Sequence, residues 1–212
     1  MNESNIPDKV YAEYRKLAEA YDRKWRSYLE HTQSKALDFL TPEYGDRILD
    51  SSGGTGLFAE FLLRTPDTRV VISDFSDHML DRARQRFGVT EERVTIVRAD
   101  AHKLPYLSGA FDKVYNLNSL HYYARQSQAI DELMRVCKPG GTILILDWSS
   151  DTLLFRMFEK FMRLSGHQFS HIYSREELTN ELKQKGLNIR YSRHWTWRGW
   201  SFLAISGVKE NR

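Results

Sequence analysis

Arg47-Ile48-Leu49-Asp50-Ser51-Ser52-Gly53-Gly54-Thr55-Gly56-Leu57-Phe58-Ala59 reads as a short apolar strand closed by an acid, then a glycine-rich turn, then the first turn of a helix. Glycine tolerates the positive φ of a tight turn and lets a ligand come close to the backbone. The helix that follows aims its free N–H groups at whatever the turn holds. The stretch therefore predicts a nucleotide-type ligand at the end of a strand, and the question is which one.

Working outward, short β-branched runs alternate with amphipathic stretches. Strands are expected at 47–50, 69–73, 94–98, 113–117 and 142–147, with helices near 57–63, 77–87 and 127–137. This alternation predicts βαβ units on a mainly parallel sheet. Before it, Val10, Tyr14, Leu17, Tyr21, Trp25, Tyr28 and Leu29 mark a helical face over about 8–40, with a second helical piece near 32–40. After it, 153–164 reads as a helix rich in Phe, Met and Arg, and Ser174 with Glu177 forms a capping box that opens another, ending near Gly186. Two last strands, 187–194 and 200–208, are joined by Trp195-Thr196-Trp197-Arg198-Gly199. That joint is too short for a parallel crossover, so they should be antiparallel neighbours.

Composition fits one globular domain. The chain has 212 residues, 41% of them hydrophobic, and a formal net charge of +3. This is enough chain to bury a full core, and the charge is too small to argue for nucleic acid or an acidic membrane. The single cysteine, Cys137, excludes an internal disulfide and fits a reducing compartment. No signal-peptide pattern or bilayer-length apolar run is visible, so a cytoplasmic location is expected.

Gly54-Thr55-Gly56-Leu57-Phe58-Ala59 satisfies the dinucleotide fingerprint with Ala in the last place, so NAD has to be weighed. Four other features decide the matter together, although the second, Asp74, suits either NAD or another adenosine ligand. Asp50 would repel it, whereas a cationic amino-acid group would be attracted. Asp74 ends the second strand 18 residues after Gly56, where two carboxylate oxygens can accept both hydroxyls of a ribose. Asp100, in Arg98-Ala99-Asp100-Ala101, ends the third strand where an adenine amino group could donate. Ala110-Phe111-Asp112-Lys113-Val114-Tyr115 and Val136-Cys137-Lys138-Pro139-Gly140-Gly141-Thr142 follow downstream.

With these motifs in order, the chain from about Tyr21 to Asp147 resembles the class I S-adenosylmethionine-dependent methyltransferases of the small-molecule group. The resemblance implies an α/β fold: a Rossmann-like three-layer sandwich, its seven-stranded sheet mainly parallel with an antiparallel C-terminal strand and helices on both faces. It implies a single domain over 1–212, with a helical cap at 1–43, a cofactor core at 44–147, a substrate-side insertion and helix at 148–186, and C-terminal strands at 187–212. The family's loop usually reads acid-x-Gly-x-Gly-x-Gly; here Ser52 replaces the first glycine and Gly53 is an extra one.

Carried over residue by residue, the resemblance places Asp50, Ser51, Ser52, Gly53, Gly54 and Gly56 around the methionine part. Asp74 would hold the ribose, Phe75 and Met79 the adenine, Asp100 and Ala101 the adenine edge, and Asn116 would lie beneath the sulfonium. Tyr21, of the Tyr21-Asp22 pair, would cover the cofactor. The expected cofactor is S-adenosyl-L-methionine, with no metal. His121 is the candidate base, should the acceptor need one, and Trp25, Tyr122, His167 and His171 are candidate acceptor contacts. Asn116-Leu117-Asn118-Ser119 stands where nucleic-acid and protein-glutamine methylating relatives carry Asn/Asp-Pro-Pro-aromatic, so a small-molecule acceptor is expected and not nucleic acid.

Structural readings compete at each place. Asp50 and Asp74 are also good helix caps, Asp100 a turn former, and Arg156, Lys160 and Arg163 a solvated helix face that otherwise would steer an anionic group. Trp148, Phe155, Phe158, Phe161, Phe169 and Tyr173 favour an apolar or aromatic acceptor. A monomer or a homodimer is expected, with no integral membrane segment. Two alternatives stay open: an NAD-dependent oxidoreductase and a non-catalytic S-adenosylmethionine-binding module.

Overall fold

A computed structural model describes residues 21–88, 90–164 and 169–211, with the side chains of Tyr21 and Arg163 outside the description. The expected helical face at 8–20 and His167 therefore lie outside the described residues. In chain order the elements are α1 (Tyr21–Lys24), α2 (Arg26–Phe39), β1 (Arg47–Ser51), α3 (Leu57–Leu62), β2 (Arg69–Asp74), α4 (Asp77–Phe87), β3 (Val94–Arg98) and β4 (Phe111–Leu117). They continue through a 3-10 turn at Leu120–Tyr122 to α5 (Gln126–Val136), β5 (Cys137–Trp148), α6 (Leu153–Leu164), α7 (Arg175–Gln184), β6 (Leu187–Trp197) and β7 (Trp200–Lys209).

The strands form a seven-stranded sheet in the order β3-β2-β1-β4-β5-β7-β6. Pairings across β3, β2, β1, β4 and β5 are parallel, and β7 runs antiparallel to both β5 and β6. Parallel strands are covered on both faces, which is why β1, β2 and β4 read as nearly continuous apolar runs. Alternate residues of those runs feed opposite layers. Leu49, Val71, Val114, Ile143 and Ile145 pack against Ile130 and Leu133 of α5 and Leu178 and Leu182 of α7. Ile48, Ile72, Tyr115, Leu144 and Leu146 pack against Ala36 of α2, Phe58 and Leu62 of α3, and Leu80 and Ala83 of α4. The result is the three-layer sandwich.

Several boundaries differ from the sequence reading: β6 runs on to Trp197, so Trp195, Thr196 and Trp197, expected in the joint, pair with β7. α2 begins at Arg26, where the spacing suggested about 32, because Trp25 leaves helical geometry and turns its ring against Tyr28 and Trp200. β5 begins at Cys137 and carries Lys138-Pro139-Gly140-Gly141 as an irregularity: Phe111 pairs with Cys137, and the next pair is Lys113 with Thr142. Gly140 there has φ +73, and a Cβ on Gly141 would come within 2.7 Å of the Asp112 carbonyl oxygen, so this segment requires its glycines. The capping box at Ser174 forms as the sequence predicts, with Ser174 Oγ accepting from Glu177 N and Glu177 Oε2 accepting from Ser174 N.

Candidate functional site

The strand order reverses between β1 and β4, and a crevice opens there at the carboxyl ends of the strands, the usual ligand position in open α/β sheets. A cleft of about 910 Å³, open to solvent, occupies it. Its wall includes Asp50, Ser52, Gly53, Gly54 and Thr55 from the glycine loop, and Asp74, Phe75, Ser76 and Met79 from the end of β2 and the start of α4. Leu29 and Gln33 of α2 and Leu117, Asn118, Ser119, Tyr122 and Tyr123, from the end of β4 and the turn after it, complete the wall.

The loop earns its shape from three left-handed residues: Ser52 at φ 58, Gly54 at φ 56 and Gly56 at φ 75. Ser52 thus takes a conformation that favours glycine, and its Oγ lies 2.6 Å from Tyr123 Oη. Gly53 is needed for closeness: a Cβ there would stand 2.6 Å from Asp50 Oδ2. Gly56, the N-cap of α3, has no room either, since a Cβ would come within 2.7 Å of the Phe87 ring.

Asp50 is 2% exposed, and its Oδ2 has no hydrogen-bond partner among the described residues. Burial, and then the charge of Asp74, push its carboxyl up to about 8. Asp74 is pushed up to about 6 by burial, against the backbone N–H groups of Ser76 and Gly54 that donate to it at 2.8 and 3.0 Å. Its smaller shift agrees with those hydrogen bonds and with its partial solvent access. Neither acid is the cap of the helix that follows: Gly56 caps α3, and Ser76, whose Oγ accepts from Met79 N, caps α4.

Asn116 is fully buried and outside the cleft wall, and its side chain meets Tyr123, which lines the cleft. The Asn116 Nδ2 donates to Tyr123 Oη at 2.8 Å and to the Ser51 carbonyl at 3.3 Å, and its Oδ1 has no partner among the described residues. Ser51 is buried and outside the cleft wall. Tyr123 is the hub the sequence reading missed: its hydroxyl meets Ser52, Ser119 and Asn116 at once. Asp22 was missed too. It accepts from Thr55 Oγ1 at 2.6 Å and pairs with Arg86, which also donates to the Thr55 carbonyl and to Glu60. The Tyr21-Asp22 pair thus reaches the glycine loop through its acid; the placement of the Tyr21 ring lies outside the description.

Other candidate residues stand apart from the cleft wall. Asp100 and Ala101 are not in the cleft wall; Asp100 Oδ1 accepts from the backbone N–H of His102 and meets His102 Nδ1 at 2.6 Å, which closes a turn. His121 is 3% exposed and lies behind the wall, stacked on Trp148 with its Nδ1 2.5 Å from Asp147 Oδ1, so it does not face an acceptor in the cleft. Trp25 sits in an aromatic cluster with Tyr28 and Trp200, and His171 is exposed beside Glu177 and Tyr173; neither lines the cleft. Of the candidate acceptor contacts described, Tyr122 alone lines it. A second network borders the same side: Tyr28 Oη donates to Asn118 Oδ1 at 2.9 Å and accepts from Trp148 Nε1 at 2.8 Å, while Asn118, at φ 55, donates to Thr32 Oγ1.

The methyltransferase-domain family profile matches residues 49–145, the segment that carries the loop, Asp74 and Asn116. A demethylmenaquinone methyltransferase of Clavibacter sepedonicus is 34% identical over 173 residues, 76% of this chain and 67% of that protein. The chain belongs to the class I S-adenosylmethionine-dependent methyltransferase family. An uncharacterized chloroplastic methyltransferase of Arabidopsis thaliana is 32% identical over 89% of this chain and 57% of its own length. A ubiquinone/menaquinone biosynthesis C-methyltransferase of Pseudomonas putida is 40% identical over 58% of this chain and 52% of its own length. The chain thus spans about half to two thirds of the curated relatives it matches.

Solved structures agree on the fold. A methyltransferase of Haloferax volcanii, solved in complex with the Trm112 activator, superposes with a TM-score of 0.79 at 19% identity, covering 94% of this chain and 98% of that one. An S-adenosylmethionine-dependent methyltransferase of Thermotoga maritima gives 0.74 at 20% identity, covering 94% and 100%. The cofactor of this family is S-adenosylmethionine, and the dinucleotide reading of the glycine loop is set aside.

Two features of the site fit that cofactor. A buried carboxyl oxygen without a partner among the described residues leaves room for a donor, and an ammonium would both supply one and favour the ionised form. The Gly53 backbone then leaves the close space beside Asp50 that any Cβ would fill.

Proposed function

We propose that the protein transfers the sulfonium methyl of S-adenosylmethionine to a small apolar or aromatic acceptor. The observation that carries this reading is Asp50 Oδ2, buried and without a partner among the described residues, at the wall of a cleft that Leu29, Leu117 and Tyr122 also line. In this reading Asp50 receives the amino group, and Asp74 accepts the ribose hydroxyls on lone pairs that its backbone donors, the N–H groups of Ser76, Gly54 and Phe75, leave open. Phe75 and Met79 form the adenine slot, and Ser52, Gly53 and Gly54 hold the carboxylate end.

The bound cofactor supplies an already activated methyl, so the protein's part is alignment and exclusion of water. Leu29, Leu117 and Tyr122 give the acceptor side an apolar wall, and Gln33, Asn118 and Ser119 give it a few polar anchors. The two networks at Tyr123 and Tyr28 fix that wall. Among the described residues lining the cleft, the ionisable groups are Asp50, Asp74, Tyr122 and Tyr123, and burial pushes Tyr123 up. Reaction at an electron-rich ring carbon suits such a site, and the quinone-named relatives support a phenolic or hydroquinone acceptor. We read the protein's compartment as the reducing cytoplasm, from its single buried Cys137.

The deciding experiment pairs calorimetry with S-adenosylhomocysteine and transfer of labelled methyl to a hydroquinone bearing a short isoprenoid tail. Micromolar binding that Asp74→Ala weakens, together with label in the ring, is expected. Absence of binding at millimolar ligand would reject the reading.

A further inference from the structure

The helix α6, Leu-Leu-Phe-Arg-Met-Phe-Glu-Lys-Phe-Met-Arg-Leu, has more apolar surface than the core receives. At 3.6 residues per turn, Phe155 and Met162 share one line. They are the side chains turned inward, 1% and 7% exposed, packed with Phe169 and Ile172 against Tyr122, Trp148 and Trp200. The adjoining arc faces water: Leu153 is 73% exposed, Leu154 70%, Met157 62%, Phe161 65% and Leu164 88%. Beyond that arc lies a basic row, with Arg156 and Lys160 exposed and Arg163 next in the i, i+4, i+7 series; Glu159 is the helix's one acid. The Arg156 Nε donates to the Ser150 carbonyl, which holds the near end of that row against the domain.

A globular helix usually turns its single apolar stripe inward. Here one apolar line is in the core and a second, wider arc is in solvent, a pattern that marks an interaction surface. What covers it must offer hydrocarbon to five exposed apolar side chains and negative charge to the cations beside them. A second copy of the chain would bring two such basic rows together with only Glu159 on each helix to offset them. A lipid surface with anionic headgroups provides both chemistries in the right order, acyl chains below and phosphates at the rim. The helix has 12 residues, and among the described residues no helix is long and apolar enough to cross a membrane, so the contact is peripheral.

We propose that α6 docks flat on an anionic lipid surface, its exposed apolar arc among the acyl chains and Arg156 and Lys160 at the phosphates. Tyr122 both packs on the buried side of this helix and lines the cleft, so docking sets the mouth of the cleft beside the bilayer. An acceptor dissolved in lipid then reaches the cleft without crossing water. That consequence rests on the methyltransferase reading; the docking itself does not, because it is measured without methyl transfer.

The test is co-sedimentation of the full chain with vesicles of phosphatidylcholine alone and of phosphatidylcholine mixed with phosphatidylglycerol. The wild type should partition to the anionic vesicles, less so at high salt. Leu154→Glu/Phe161→Glu should lower that partition by about tenfold or more, and Arg156→Gln/Lys160→Gln should remove the preference for anionic lipid. All of these positions are exposed, and far-UV circular dichroism with an unchanged melting midpoint establishes that each variant is folded. A wild type that stays in the supernatant with anionic vesicles, or a folded Leu154→Glu/Phe161→Glu protein that partitions equally, overturns the proposal. So does sedimentation velocity showing a wild-type dimer that this double variant makes monomeric, since the arc would then be a self-interface.

Discussion

The hydroxyl oxygens of Ser52 and Tyr123 lie 2.6 Å apart, and this contact ties the glycine loop after β1 to the turn after β4. Ser52 holds φ 58, a conformation that costs a residue with a Cβ about 1–2 kcal/mol, and the hydrogen bond offsets part of that cost. Tyr123→Phe removes the hydroxyl from Ser52, Ser119 and the buried Asn116 Nδ2 together. Leaving such groups unpaired should lower stability by about 1–3 kcal/mol in urea unfolding. Affinity for S-adenosylhomocysteine should fall with it, because the loop loses its brace. An unchanged midpoint and an unchanged affinity would show that the contact braces nothing.

Asp50 should give the protein opposite pH responses with and without ligand. Its carboxyl lies at about 8 in the fold against an ordinary value of 3.8, through burial first and the Asp74 charge second. Between those values the folded state keeps a proton that the unfolded chain releases, so this group's contribution to stability falls as pH rises from about 4 to about 8. Asp50→Asn should therefore raise the melting midpoint at pH 8 and leave it near wild type at pH 4. Ligand binding runs the other way: an ammonium needs the carboxylate, so affinity should climb towards pH 8, with protons released on binding at pH 7. Calorimetry in buffers of different ionisation enthalpy reads that release. Asp50→Asn should abolish it, and a wild type that releases no proton would refute the assignment.

The sheet was legible because parallel strands buried on both faces must be apolar runs, and because the glycine loop has few alternatives. Contacts between distant segments were not legible. Tyr123 meets Ser52 across 71 positions and Arg86 meets Asp22 across 64, and nothing local marks either pair. Asp100 looks in sequence like any acid at a strand end; His102, two residues on, draws its carboxylate into a turn. The start of β5 was hidden because Lys138-Pro139-Gly140-Gly141 carries breaker residues that here form an irregularity inside a strand. His121 had the expected place after β4, but its direction is set by Asp147 on β5, a neighbour known only once the strands are paired.

That direction makes a prediction of its own. His121 and Asp147 are 2% and 4% exposed at their side chains, and Asp147 also accepts from the backbone N–H groups of His121 and Trp148. His121→Leu should cost about 3 kcal/mol in urea unfolding, by removing the imidazole from a buried carboxylate. Affinity for S-adenosylhomocysteine should stay within about threefold of wild type, since the imidazole is not in the cleft wall. A large loss of affinity at unchanged stability would return His121 to the binding site.

Gly53 and Gly54 are adjacent, yet substitution should harm them for different reasons. At Gly54 a Cβ meets nothing within 4 Å, but φ is +56, so Gly54→Ala should cost only the left-handed conformation, about 1–2 kcal/mol. At Gly53 a Cβ would stand 2.6 Å from Asp50 Oδ2 and 2.9 Å from Ile72 Cγ2, both of them buried side chains. Gly53→Ala should cost about 1–3 kcal/mol by overpacking and turn the Asp50 carboxylate from its place, so that ligand affinity falls further than stability does. The clash is shared, so the two sites should not be additive. Asp50→Ala removes the tighter of the two clashes and leaves the one with Ile72, and the double variant Asp50→Ala/Gly53→Ala should be more stable than the sum of the single changes allows. Urea unfolding of the four proteins gives the coupling directly. A coupling of zero would mean that Gly53 is required for some other reason than its closeness to Asp50.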